Sequence, residues 1–175
     1  MLVTFLLETE LVAYKRPAPS RYGHKYNTPK YAKFLSDVRE TYLKSEYRDF
    51  RFGKDDALGM FVIFCFQVPK NCLKANGEYK AKFSKHPINL RHGDLDNLEK
   101  GVMDGLSDKR ATKNSPKMEL LIPNDSRVRK NWSDKIYTTS TKDYVYFGVY
   151  EVNRENIIKA REIYDSFLEA NDISI

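Results

Sequence analysis

The chain has 175 residues, of which 41% are hydrophobic and 31% charged, and its net charge is +6. That length suits one domain with its own core, and the positive balance favours an acidic partner such as nucleic acid or an anionic membrane face. No segment approaches the roughly 18 apolar residues of a membrane span, and the two cysteines, Cys65 and Cys72, have no partners at zinc-ligand spacing, so a span, a structural zinc and a disulfide framework are all unexpected.

Met1 to Leu7 carries no basic residue ahead of its short apolar run, and Glu8 closes that run. A secretory leader is not expected, and a reducing, cytoplasmic setting fits. Leu2 to Val12 reads as a first strand. The loop from Ala13 to Asn27 contains Pro17, Pro19 and Gly23. From Leu11 to Ser36 there is no acidic residue, while Lys15, Arg16, Arg21, Lys25, Lys30 and Lys33 alternate with Tyr14, Tyr22, Tyr26 and Tyr31. Such a one-sign stretch calls for an anion, and Lys15, Arg16 and Arg21 are its phosphate-contact candidates. Thr28 followed by Pro29 predicts a capped helix start, and the spacing of Tyr31, Leu35, Val38 and Tyr42 predicts a helix near 29–46.

Ala57 to Val68 is apolar, β-branched and aromatic, which predicts a central strand with Cys65 as a buried thiol; Pro69 ends it. Residues 70–91 form a basic, weakly patterned connection. A helix is predicted near 95–107, with Leu98, Val102 and Leu106 as its apolar stripe. Gly101 and Gly105 lower its propensity by about 1 kcal/mol each relative to Ala and leave room for another backbone, as across a dimer. Met118 to Ile122 reads as a strand, Pro123 to Ser126 as a turn, Arg127 to Tyr137 as an irregular return, and Asp143 to Val152 as an alternating strand. Residues 153–170 form an amphipathic tail with Ile157, Ala160, Tyr164 and Leu168 on one face. The expected architecture is a single α+β domain over residues 1–175, a mixed β-sheet packed with helices.

The most informative segment is Gly93-Asp94-Leu95-Asp96-Asn97-Leu98-Glu99-Lys100. It puts two carboxylates at a helix start and a lysine one turn after Asp96, on the same face. One reading is structural: Asp94 or Asp96 caps the helix and complements its dipole, and Lys100 forms a solvated i,i+4 pair with Asp104. The other is a magnesium site, because Mg²⁺ takes hard oxygen ligands and keeps several waters beside a phosphate. It would polarise a phosphoryl oxygen and generate a hydroxide nucleophile, with Lys100 stabilising the charge that builds up. Spacing alone favours the structural reading. A metal site also needs a third carboxylate, for which Asp125 is the candidate, although turns favour Asp in any case. Lys109, Arg110, Lys113 and Lys117 precede Asp125, and Arg127, Arg129 and Lys130 follow it.

Three elements in order resemble the RusA-type Holliday junction resolvases of bacteria and their phages. They are Asp94-Leu95-Asp96-Asn97-Leu98-Glu99-Lys100, then Asp104-Gly105-Leu106, then Asn124-Asp125-Ser126-Arg127-Val128. Lys135-Ile136-Tyr137, Lys15-Arg16-Pro17 and Tyr26-Asn27-Thr28-Pro29-Lys30 resemble further family features, so the similarity spans most of the chain. The resemblance implies a RusA-like α+β fold and a homodimer that binds four-way DNA junctions and nicks two opposed strands, using Mg²⁺ or Mn²⁺. The implied metal ligands are Asp94, Asp96 and Asp125, and the implied catalytic lysine is Lys100. The family commonly pairs aspartates where this chain has Asn124-Asp125, and the ligand aligns with the second position. The link after Leu106 is longer than the compact family version, and its basic insertion at about 107–117 is expected to touch DNA. The DNA-contact set is therefore Lys15, Arg16, Arg21, Lys109, Arg110, Lys113 and Arg127. His92 is expected to be an exposed linker residue and Trp132 a packed one. Competing functions are a non-enzymatic DNA-binding or regulatory protein derived from such a nuclease, and an RNA-binding protein, which the carboxylate set fits less well.

Overall fold

The computed structural model describes residues 1–14, 27–78, 80, 86–87, 92–109, 111 and 116–171. Its elements run β1 (Leu2–Glu8), α1 (Pro29–Leu43), β2 (Leu58–Gln67), α2 (Leu95–Leu106), β3 (Val128–Thr138), β4 (Tyr144–Glu151) and α3 (Arg154–Asn171). The strands form one mixed sheet in the order β1-β4-β2-β3. β4 is antiparallel to β1 and β2, whereas β2 and β3 are parallel. A parallel pair needs a long crossover, and here that crossover carries α2 and the turn that leads into β3.

β2 is an unbroken apolar run because it has cover on both faces; every residue from Leu58 to Phe66 is buried. Met60, Val62, Phe64 and Phe66 join the main core, together with Tyr31, Phe34 and Val38 of α1 and Leu98, Val102 and Leu106 of α2. Phe61, Ile63 and Cys65 face the other way, into a smaller core with Ala160 and Tyr164 of α3. The sheet thus has α1 and α2 on one side and α3 on the other, giving the α+β domain expected from the sequence. Among the described residues, no helix is long and apolar enough to cross a membrane.

Thr28 caps α1 as predicted, its side chain accepting from the Tyr31 N–H at 3.2 Å, with Pro29 next in the chain. The first strand stops at Glu8 rather than Val12, and α1 stops at Leu43 rather than 46. Three expectations need correction. Arg127 to Tyr137, expected as an irregular return, falls almost wholly in the edge strand β3 (Val128–Thr138); its first half is polar because it is exposed, so no alternation marks it. Met118–Ile122 forms only isolated bridges, Lys109 to Met118 and Ser107 to Ile122. The space left by Gly101 and Gly105 is taken by α1 of the same chain: a Cβ on Gly101 would lie 2.6 Å from the Phe34 ring, and one on Gly105 2.6 Å from the Val38 side chain.

Candidate active site along helix α2

α2 begins where Gly93 turns the chain at φ 70°. A Cβ there would also lie 2.3 Å from that of Ala13, so Gly93 is required for both conformation and space. Asp94 occupies the N-cap position with extended backbone, and its carbonyl accepts from the Leu98 N–H at 3.1 Å. Its carboxylate makes no cap hydrogen bond. Asp96 stands in the first turn, where its charge complements the helix dipole. The turn is held from several sides. Lys135 Nζ donates to the Gly93 carbonyl at 2.9 Å, and the Tyr14 N–H donates to the Asn97 carbonyl at 3.0 Å. The His92 ring packs 4.5 Å from Phe66 and 5.6 Å from Tyr137. His92 is therefore half-buried, which corrects the exposed-linker expectation. Burial, helped by the Lys135 charge, holds its imidazole below the usual histidine range.

Asp96, Lys100 and Asp104 lie four apart, on one stripe of α2. Lys100 Nζ donates to Asp104 at 3.2 Å and stands 5.6 Å over the Tyr14 ring. Tyr31 donates its hydroxyl to the same Asp104 carboxylate at 3.2 Å. Burial first, and Asp104 second, push the Tyr31 phenol above its ordinary range. The surface pair anticipated from the sequence is thus formed and has a third member, Tyr31, supplied by α1.

β3 runs beside α2 in the opposite sense. Lys135 meets Gly93, Asn131 and Ser133 donate to Glu99, and Ile122, ahead of the Asp125 turn, bridges to Ser107. Asp125 accordingly sits toward the C-terminal end of α2, where it lines a cleft of about 400 Å³ with Asp104, Ser107, Lys109, Lys117 and Asn124. Asp94 and Asp96 are at the helix's other end; the eight residues from Asp96 to Asp104 rise about 12 Å. Among the described residues, no three His, Cys, Asp or Glu side chains gather closely enough to hold one ion.

The carboxylates of this region fall into two groups. Glu99 is engaged by Asn131 and Ser133, and Asp104 by Lys100 and Tyr31. Asp108 is engaged by Arg51 and the Leu120 N–H. Glu119 pairs with Arg51 and Lys117, and Asp134 accepts from the Lys135 N–H. Asp94, Asp96 and Asp125 are exposed and have no side-chain partner among the described residues. Asn124 has structural work of its own, accepting from the Ser126 N–H at 2.9 Å to start the turn. In donor chemistry the three free carboxylates suit a hard divalent cation such as Mg²⁺ or Mn²⁺, for which one or two carboxylates, waters and a substrate phosphate suffice.

Of the expected DNA contacts, Lys15, Arg16, Arg21, Arg110 and Lys113 lie outside the described residues. Arg127 stands 3.5 Å from Asp55, whose side chain is fully exposed. Lys109 is exposed at the mouth of the cleft. Trp132 is packed, its ring centroid 5.9 Å from that of Tyr150 and covered by Arg161. The sequence reading missed Tyr31, Glu99 and Arg39. Their surroundings depend on which helix or strand packs beside them, which local spacing does not encode.

A family model described as Endodeoxyribonuclease RusA matches residues 8–142, from the last residue of β1 to just before β4. No curated protein matches the chain.

Proposed function

The chain belongs to the RusA endodeoxyribonuclease family, a family that acts on Holliday junctions, and from that premise we propose that it resolves four-way DNA junctions by divalent-metal hydrolysis, as a homodimer that nicks two opposed strands. The observation that carries this reading is the division of the carboxylates. Between residues 94 and 134, Asp94, Asp96 and Asp125 alone lack a partner among the described residues, and these are the positions that the family motif assigns to metal. An unpaired carboxylate that only caps a helix would be expected to reach back to a backbone N–H, and Asp94 does not.

Asp94 and Asp96 would hold Mg²⁺ or Mn²⁺ from the start of α2, and Asp125 would join them when the DNA strand docks. The ion would supply Lewis-acid polarisation of the phosphoryl oxygen and acidify a water. The protein does the rest. Gly93, clamped by Lys135, fixes the direction of Asp94. Lys100, parked on Asp104, offers an ammonium to the phosphate as negative charge accumulates on it. Lys109, Arg127 and the basic segment around them seat the strand through its phosphates.

The deciding experiment is a cleavage assay on a fixed four-way junction, run beside Asp96→Asn. Paired nicks with Mg²⁺ or Mn²⁺, lost in Asp96→Asn while junction binding persists, are expected. Intact junctions at all metal concentrations between pH 7 and 9 would remove the assignment. Calorimetry showing no Mg²⁺ or Mn²⁺ binding even with junction present would favour the DNA-binding regulator instead.

A further inference from the structure

Toward the C-terminal end of α2 stand buried donors and a lysine that the family motif does not include. Arg39, on the face of α1 that follows Val38 across to Gly105, is half-buried, and its Nε and one terminal nitrogen are buried without a hydrogen-bond partner among the described residues. The Ser107 hydroxyl, at the end of α2, is also buried and unpartnered. Lys109, two residues on, lines the same cleft as Ser107 and Asp125. Its ammonium is held below the ordinary lysine range by burial and by the charge of Arg39, and the Arg39 guanidinium is itself lowered by burial.

These observations share one physical meaning. Buried donors ordinarily find acceptors, and two like charges ordinarily separate. Here the Arg39 guanidinium N–H groups and the Ser107 hydroxyl are buried with no acceptor among the described residues, and the exposed Lys109 ammonium adds a second positive charge. The nearby carboxylates do not supply one: Asp104 is taken by Lys100 and Tyr31, and Asp108 by Arg51 and the Leu120 N–H. What the arrangement lacks is a compact anion with several acceptor oxygens. A phosphodiester has that chemistry, and Arg and Lys donors of this kind recognise it.

We propose that Arg39, Ser107 and Lys109 form a subsite for one backbone phosphate of the DNA strand, holding it in the cleft beside Asp125. The subsite rests on the reading of the chain as a junction nuclease. It adds the element that draws the strand to Asp125, and so links the far end of the cleft to the Asp94–Asp96 turn.

The test is metal-free binding of a fixed four-way junction across a range of salt concentrations, with wild type, Arg39→Met and Lys109→Met. Cleavage plays no part in it, so a failure of the hydrolytic reading leaves the result interpretable. Each variant is expected to bind about tenfold more weakly at low salt, with the slope of log affinity against log salt reduced by about 1, the signature of one lost phosphate contact. Arg39→Lys should recover part of the loss. If Lys109→Met, altered on an exposed side chain outside the helices, binds with wild-type affinity and slope, the subsite does not exist, whether or not Arg39→Met folds. A different source of the anion gives a different result. Inorganic phosphate would raise the wild-type melting temperature over chloride at equal ionic strength, the rise would vanish in Lys109→Met, and junction affinity would not change. That outcome would overturn the strand assignment.

Discussion

At the scale of single residues, the free carboxylates are unequal. Asp94 and Asp96 share one turn, whereas Asp125 lies across the cleft at the other end of α2. In the absence of DNA, Asp125→Asn should therefore leave Mn²⁺ affinity near the wild-type value, while Asp96→Asn should abolish it; titration calorimetry or Mn²⁺ resonance would check both. With junction present, Asp125→Asn should reduce cleavage by at least about 100-fold, as loss of a charged group acting in the transition state does. A wild-type cleavage rate in Asp125→Asn would show that two carboxylates suffice. His92 sets a separate pH dependence. Its imidazole is held below its ordinary value by burial and Lys135, so the unfolded chain binds this proton more readily than the folded one. Stability from this site is complete above about pH 6.5, the unfolded value, and declines as pH falls through the folded value. Acid should lower the melting temperature less steeply in His92→Phe, whose ring would still pack on Phe66. The site was partly legible in the sequence. The family resemblance, and not their spacing alone, singles out Asp94, Asp96, Lys100 and Asp125 in the sequence. No local pattern marks Arg39 and Tyr31, because what defines them is a neighbour 70 residues away for Arg39 and 73 for Tyr31 along the chain.

At the scale of elements, the stripe of α2 can present its charges only if α1 packs closely behind it. Gly105 accepts Val38 at a distance that leaves no room for a methyl group, since a Cβ would lie 2.6 Å from Val38 Cγ1 and 3.4 Å from the Leu35 carbonyl oxygen. An alanine here gains about 1 kcal/mol of helix propensity but overpacks the contact, which typically costs about 1–3 kcal/mol. Gly105→Ala should lower the urea midpoint and also depress cleavage, because moving α1 shifts Tyr31 and, through Asp104, Lys100. A more stable variant with full activity would mean that the helices separate freely. The same packing explains what was readable. Helices with caps and stripes, such as α1 and α2, and the two-face-buried β2, announce themselves locally. β3 does not. Arg129, Lys130 and Asn131 are exposed on an edge, so the strand is dictated by the backbone of β2 beside it and not by alternation of its own. The glycine pair signalled close approach correctly, but its partner was α1 of the same chain, and no local pattern distinguishes an intrachain neighbour from a second subunit.

At the scale of the whole molecule, a net charge of +6 makes the proposed DNA affinity a property of salt. With six or more phosphate contacts, junction binding should weaken by about 10³-fold or more between 50 and 200 mM salt. The proposed dimer makes a sharper claim. One active stripe per chain can cut one strand, and a four-way junction needs two symmetric cuts, which a two-fold pair of identical chains supplies. The number of cuts made before release should therefore follow the number of competent chains in the complex. A supercoiled plasmid with an extruded cruciform reports this directly: two cuts within one binding event give linear DNA, and a single cut lets the cruciform reabsorb and leaves a nicked circle. Wild-type homodimers should give mainly linear product. Heterodimers of wild type with Asp96→Asn, purified by a tag on each chain, should give nicked circles at about half the initial rate of strand cutting, because each complex keeps one working site. Linear product from the heterodimer would mean that one chain cuts twice, and an absence of any cutting would mean that a site works only beside a competent one. Asp125 lines the cleft at the end of α2 away from Asp94 and Asp96, so a second heterodimer tests which chain supplies it. A heterodimer of Asp96→Asn with Asp125→Asn should cut nothing if each site uses its own chain's Asp125, and would hold one complete site, with its nicked product, if Asp125 crosses between chains.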